Sequence, residues 1–207
     1  MAALPPDRID LGNGTLGPGA ERTFALRRLR VGDAPKVAGA VGDNLDHLRP
    51  WMPWAGKDSA DTRFQRRRLA EADLQWARGA DFGYGLFATA DDGFERLLGA
   101  FGLTARRGPR TLEIGYWLCA DVTGFGLATR AVAALTDTAL AVDGIERVLV
   151  YCDEANHASA AIPRRLGFTI DRIVAVPPEA AAETGRQLEW VVRPAEWREL
   201  RSAAGRD

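Results

Sequence analysis

The chain has few lysines, few cysteines and no long apolar run, and each shortage removes a class of protein. Of its 27 basic residues only Lys36 and Lys57 are lysines, the other 25 being arginines, and 28 acidic residues balance them to a formal charge of −1. A grip on nucleic acid ordinarily needs a basic domain or stripe, which a near-neutral chain lacks. The two cysteines, Cys119 and Cys152, lie in apolar segments without a partner histidine or a Cys-x-x-Cys spacing. That pattern excludes a disulfide scaffold and a zinc centre and fits buried thiols in a reducing compartment. No segment approaches the roughly 18 apolar residues of a membrane helix, and residues 1–6 lack the charged and apolar regions of a secretion signal. The expectation is a cytoplasmic protein with neither membrane nor direct nucleic-acid contact. No Gly-Lys-Ser or Gly-Lys-Thr occurs, so a P-loop is excluded.

What is there is an ordinary globular composition: 207 residues, 46% hydrophobic and 27% charged. A chain of this length buries roughly 70% of its unfolded surface and needs no metal to fold. Residues 1–21, rich in Gly and Pro, read as a turn-rich or loosely ordered entry, residues 22–200 as one domain and residues 201–207 as a flexible tail. Strand patterns cover 23–29, 82–89, 97–104, 112–118, 146–152, 168–176 and 187–192, with a hairpin signal at Asp91-Asp92-Gly93. Helical patterns run from a cap at Asp33 to about 48, from 58 or 59 to about 78, from 126 to about 142 along a Leu127, Ala131, Leu135, Thr138, Val142 face, and from 159 to 166. An antiparallel meander followed by a strand-helix-strand crossover predicts a mixed sheet, α+β or three-layer α/β/α.

Chemistry concentrates in Gly124-Phe125-Gly126-Leu127-Ala128-Thr129, which stands between a strand and a helix start. There the backbone N–H groups lack intrahelical partners, the helix dipole is positive, and glycine lets an anion approach the main chain, an arrangement that suits a phosphate. The spacing alone carries little, because four Gly-x-Gly triplets occur where 22 glycines give about two by chance; only the one at Gly124 opens a helix. A dinucleotide site, with Asp153 as the ribose partner, fits poorly. Thr129 stands where its third glycine belongs, and too few elements follow for a doubly wound sheet.

Glu113-Ile114-Gly115-Tyr116-Trp117-Leu118, the Gly124 to Thr129 segment, Asn156-x-x-Ser159 and Leu166-Gly167-Phe168 together resemble the GCN5-related N-acetyltransferase (GNAT) superfamily. Within it, Leu48-Arg49-Pro50-Trp51-Met52-Pro53-Trp54 is similar to the loop of the ribosomal-protein N-terminal alanine/serine acetyltransferases. The resemblance implies a GNAT-like, mostly antiparallel mixed sheet flanked by helices, with acetyl-CoA as co-substrate in a V-shaped split between the strands ending near Leu118 and Cys152. It implies pantetheine pairing at Leu118 to Ala120, pyrophosphate on the N–H groups of Gly124, Phe125, Gly126, Leu127, Ala128 and Thr129, and Asn156 on the pantetheine or steadying the turn. It also implies direct transfer without metal, to a primary amine such as a ribosomal-protein N-terminus, with dimerisation expected by analogy. A small amine (antibiotic, polyamine or amino-acid derivative) and a silent CoA-binding regulatory domain are the alternatives.

Two departures stand out. Asp121 replaces the usual Gln or Arg before the first glycine, and no tyrosine follows Asn156, so Ser159 is the expected thiol-facing donor, or else the N-cap of its helix. Glu113 is the expected general base, its pKa raised by an apolar setting. Trp51 and Trp54 are expected to line the acceptor cleft. His47 and His157 read as surface residues, and Arg63, Arg66, Arg67 and Arg68 as a solvated helix face.

Overall fold

The structure, a computed structural model, describes residues 4–204. Its eight strands are β1 (Arg8–Gly14), β2 (Arg22–Arg28), β3 (Asp81–Thr89), β4 (Glu95–Thr104), β5 (Thr111–Leu118), β6 (Arg147–Asp153), β7 (Thr169–Ala175) and β8 (Arg186–Val192). They form one sheet in the order β1-β2-β3-β4-β5-β6-β8-β7. Only β5 and β6 run parallel, because a 14-residue helix joins them whereas the others return by hairpins or by connections that reverse the chain. The helices are α1 (Ala34–Gly42), α2 (Leu45–Leu48), α3 (Thr62–Ala77), α4 (Leu127–Leu140), α5 (His157–Arg165) and α6 (Pro194–Ala204). Helices α1 and α3 pack on each other and on β4 and β3, while α4 and α5 pack on each other and on β5 and β6. This is the mixed, helix-flanked α/β sheet expected from the element order.

The core runs through the sheet from Phe24 and Leu26 to Leu103, Ile114 and Val148, with Leu127, Ala131, Leu135 and Ala139 of α4 pressed on it. Thr136, rather than Thr138, is the threonine that α4 buries; its hydroxyl donates to Val132 O at 2.7 Å, so the polar group is satisfied within the helix.

The chain differs from its sequence pattern at both ends and in two helices. Within the segment read as loosely ordered, residues 8–14 are a strand. Arg130 of α4 donates to the carbonyls of Leu11 and Asn13, and Tyr84 Oη donates to Pro6 O at 2.8 Å, long-range contacts with no local signature. At the C-terminus α6 continues to Ala204, into the expected tail; residues 205–207 lie outside the described residues. The expected 33–48 helix breaks into α1 and α2 around Asp43 and Asn44, and Asp33 does not cap it: its carboxylate takes Arg27 and the N–H of Arg30 instead. Helix α3 begins at Thr62 because Asp61 accepts from Phe64 N at 2.8 Å, a side-chain cap that Asp58 and Ser59 do not supply.

Candidate active site

Strands β5 and β6 pair from Thr111 opposite Arg147 as far as Ile114 opposite Val150, and then part. Beyond that rung β5 runs on to Leu118 and β6 to Asp153 without facing each other. The N–H of Cys119 donates to Leu98 O at 2.8 Å across β4. Successive residues of a strand turn their backbone groups to opposite sides, so Leu118 presents its N–H and C=O to the opening. The Ala120 N–H, expected beside it, is already taken by Asn44 Oδ1 at 2.8 Å and is withdrawn from that role.

The turn into α4 lies beside this opening. Gly124 and Gly126 have φ of 85° and 74°, the left-handed region where glycine is unstrained, and a Cβ placed on either would meet nothing within 4 Å. No side chain caps α4, and Phe125 is 44% exposed. The first N–H groups of the helix therefore face open space with the positive end of the dipole behind them, while Leu127 and Ala128 send their side chains into the core. Arg165 of α5, unremarked in the sequence, donates to Thr129 Oγ1 at 2.9 Å and sets a guanidinium beside that turn. Asp121 is held outward by Arg96 at 2.6 Å.

Asn156, not Ser159, is the N-cap of α5: its Oδ1 accepts from Ser159 N at 3.1 Å. The Ser159 hydroxyl is thereby free of capping and lies 3.1 Å from Tyr116 Oη. Burial pushes the Tyr116 phenol pKa up, so it remains protonated, a second hydroxyl where the missing tyrosine had left one expected. Nothing adjacent in sequence links positions 116 and 159.

Glu113 is 3% exposed, but its surroundings are not apolar. Arg106 Nη2 meets Oε1 at 2.5 Å, while Arg106 Nε and Arg107 Nε meet Oε2 at 3.1 and 2.7 Å. Burial alone would raise its pKa; the hydrogen bonds and charges of the two arginines outweigh it and hold the carboxyl below the ordinary glutamate value. The raised pKa expected of Glu113 is thus corrected, and a carboxylate kept ionised with both oxygens engaged is a poor proton acceptor at neutral pH. A depressed pKa stabilises the fold above the unfolded pKa and loses that contribution as pH falls through the folded one. Glu113→Gln is expected to cost about 2 kcal/mol at pH 7, with the difference from the parent shrinking below about pH 4 in urea titrations.

The aromatic loop is folded back on itself: Trp51 N and Met52 N donate to Leu48 O at 3.0 and 2.9 Å, Ala55 N to Met52 O at 2.9 Å and Gly56 N to Trp54 O at 2.8 Å. Trp54 so held stands 6.2 Å from Trp117, and both it and Trp51 line a cavity of about 1090 Å³ that continues into the opening between β5 and β6. Its roof is the β7–β8 loop, where Ala182 N donates to Pro50 O at 3.0 Å. That loop is fastened by Asp153, which accepts from Thr184 N, Gly185 N and Thr184 Oγ1 at 3.0 Å each; the carboxylate is thus committed to structure rather than to a ribose. Arg68 is exposed, as foreseen, and its guanidinium stands at the rim of the cavity, 5.7 Å from the Trp54 ring, with Nη1 donating to Gln65 Oε1 at 3.4 Å. Asp81 shares the cavity wall, its pKa raised by burial. His47 and His157 are exposed, and both cysteines are free and buried. Among the described residues no cluster of potential metal ligands occurs, and no helix is long and apolar enough to cross a membrane.

Comparison with known proteins agrees with this geometry. Residues 23–169 match the model of the acetyltransferase (GNAT) domain. YdaF of Bacillus subtilis strain 168, named for ribosomal N-acetyltransferase activity, is 28% identical over 146 residues, 70% of this chain and 77% of that protein. Among solved structures, Mycobacterium smegmatis RimJ in complex with CoA-disulfide superposes with a TM-score of 0.78 at 21% identity, covering 99% of this chain and 98% of that one. The ribosomal-protein-S5-alanine acetyltransferase of Vibrio fischeri does so with a TM-score of 0.74 at 19% identity, over 84% and 94% of the two chains. An opened seam in the sheet beside an uncapped, glycine-lined helix start fits a thiol-bearing pyrophosphate, and with the family match it identifies the chain as a member of the GNAT family, an acetyl-CoA-dependent N-acetyltransferase.

Proposed function

We propose that the acceptor is the α-amine of a polypeptide N-terminus, of the ribosomal-protein kind, and that acetyl passes to it directly in the seam between β5 and β6. The observation that carries this reading is the continuity of that seam with the roofed cavity bearing Trp51 and Trp54. Its volume, about 1090 Å³, is at the upper end of ordinary small-ligand pockets, which run to about 1,000 Å³. The names of two relatives, the ribosomal N-acetyltransferase YdaF and the ribosomal-protein-S5-alanine acetyltransferase of Vibrio fischeri, support the same reading.

In this reading the pyrophosphate rests on the N–H groups of Gly124 through Thr129 with Arg165 beside it, and the pantetheine follows the free edge of β5, meeting main chain at Leu118. Asn156 steadies the turn into α5. The Leu118 N–H faces the oxygen of the thioester as charge develops on it. The chemistry asks little of a base. An α-amine of pKa about 7.7–8.0 is freed of its proton at pH 7 for about 1–1.4 kcal/mol, against about 4.6 for a lysine side chain. The arginine-bound Glu113 fills the role of base badly, and water in the cavity carries that proton away. The departing thiolate takes a proton from the Ser159 hydroxyl, which recovers one from water in the seam, while Tyr116 Oη, which donates to Ser159 O at 3.1 Å, holds that hydroxyl in place at 3.1 Å.

The test pairs binding with turnover. Acetyl-CoA at 100 times its Kd is expected to stabilise the fold by about 2.7 kcal/mol, and NAD not at all. Thiol release is expected with free N-terminal peptides at a kcat/KM at least tenfold above that with polyamines, aminoglycosides or amino acids. Stabilisation by acetyl-CoA without thiol release from any acceptor would assign the chain to silent CoA-binding domains, and a preference for small amines would move the acceptor class.

A further inference from the structure

Strands β3 to β5 contain five glycines, and packing explains two. A Cβ on Gly85 would lie 2.5 Å from the Phe87 ring, and one on Gly99 would lie 2.2 Å from Trp117 O. The remaining three, Gly83, Gly102 and Gly115, stand directly opposite one another on the three neighbouring strands. None has a positive φ. A Cβ on Gly83 or Gly115 would meet nothing within 4 Å, and one on Gly102 would meet Phe82 O and Asp81 Oδ1 at 3.8 and 3.9 Å, ordinary contact. A strand interior gives up stability for each glycine it keeps in place of a residue with a side chain, and neither backbone nor packing requires these three.

Together they make a strip of bare main chain across the sheet, and all three line the cavity. Directly opposed residues share a face, so the strip is bounded on one side by Asp81, Thr104 and Glu113, and on the other by Gly85, Ala100 and Trp117. One end, Gly115, lies one residue beyond Ile114, where β5 and β6 part; the other end, Gly83, lies deep under the cavity next to Asp81. Two inter-strand spacings of about 4.8 Å make the strip about 10 Å long, the length of three extended residues at about 3.3 Å each.

Building on the N-terminal acceptor reading above, we infer that the Gly83, Gly102 and Gly115 strip is the bed of the acceptor's first three residues. The first residue lies over Gly115 with its amine at the seam, and the third lies over Gly83, beside Asp81 and below Arg68 at the cavity rim. Side chains on the strip would lift the chain and draw the amine back from the thioester. The enzyme then measures the acceptor by length: one and two residues leave part of the bed uncovered, three cover it, and further residues reach no more of it.

Steady-state thiol release with alanine amide and its di-, tri- and pentapeptide amides tests this on the full chain. The expected result is a kcat/KM that rises at least tenfold from one residue to three and is flat from three to five, the rise residing in KM. Gly83→Val is expected to erase the advantage of the tripeptide over the dipeptide, and Gly102→Ala to raise KM for both, while each variant is stabilised by acetyl-CoA as the parent is and melts no lower than it. A flat length series in an active parent, or an undiminished tripeptide advantage in Gly83→Val, overturns the bed and leaves the acceptor reading standing. Failure of every peptide to release thiol overturns both.

Discussion

Asp153→Asn is expected to cost about 3 kcal/mol of stability at neutral pH and to weaken turnover of the acceptor more than binding of acetyl-CoA. Asp153 is 3% exposed, at the end of β6, and its two oxygens accept four hydrogen bonds, from Ala155 N, Thr184 N, Gly185 N and Thr184 Oγ1. Asparagine has nearly the same shape, but it removes the charge and turns an N–H₂ toward groups that are themselves donors, so one oxygen's set of bonds is lost and a buried donor is left opposed. Charge-assisted bonds of this kind are worth about 1.5–3 kcal/mol each, and relaxation of the loop returns part of the loss. The functional consequence follows from what the bonds hold. The β7–β8 loop roofs the cavity through Ala182 and Pro50, away from the turn into α4. Denaturant melts should show the stability loss; KM for an N-terminal peptide should rise several-fold while the thermal shift given by acetyl-CoA stays within a factor of two in apparent Kd.

The same aspartate sets a pH signature. Burial would raise its pKa, but the hydrogen bonds from Ala155, Thr184 and Gly185 outweigh burial and bring it below the ordinary aspartate value. A carboxyl depressed in the folded state stabilises the protein above the unfolded pKa, about 3.9, and that contribution disappears as pH falls through the lower folded value. Parent and Asp153→Asn should therefore differ most at neutral pH, and the gap should narrow as pH is lowered below the unfolded pKa and toward the folded one. A gap that did not narrow at all on acidification would show that packing, not the charge, is what asparagine damages.

Gly126→Asp is expected to abolish acetyl-CoA binding with little change in the unliganded melting temperature. Gly126 is the N-cap of α4 in the left-handed region, which aspartate tolerates better than other residues with a side chain. Aspartate is also a favoured N-cap whose carboxylate takes up the helix's free N–H groups. Those are the groups the pyrophosphate needs, and the new charge repels what they no longer hold. Losing two or more charge-assisted contacts raises the apparent Kd at least about 100-fold, about 2.7 kcal/mol. Gly126→Asn, with similar conformational tolerance and no charge, is expected to bind with an intermediate affinity. If Gly126→Asp retained the acetyl-CoA thermal shift of the parent, the anion would have to lie elsewhere.

Much of this molecule is written locally. The meander, the crossover and the uncapped turn at Gly124 to Thr129 follow from residue alternation, helical spacing and glycine placement, interactions among near neighbours in the chain, and the structure returns them within a few residues. The aromatic loop, too, is legible, because prolines stiffen it wherever it docks. What stayed hidden was each side chain's company. Glu113 looks like an acid in an apolar strand until the β4–β5 turn folds Arg106 and Arg107 onto it. Ser159 reads as a thiol-facing donor or else a cap until Asn156 takes the cap and leaves its hydroxyl to Tyr116, 43 residues away. The N-terminal strand has weak pattern of its own; it is completed by pairing with β2, and Arg130, more than a hundred residues later, donates to two of its carbonyls.

The sequence by itself therefore determined the order and kind of the elements, the family resemblance and the uncapped, glycine-lined helix start at Gly124 to Thr129, because backbone preference and a helix start depend on residues close along the chain. Only the tertiary structure decided which carboxylate is engaged by arginines, which hydroxyls meet, and that three glycines from separate strands share one rung. Those outcomes depend on strand register and on charges brought together from distant positions, and a one-residue shift in pairing would have turned each of those side chains to the opposite face.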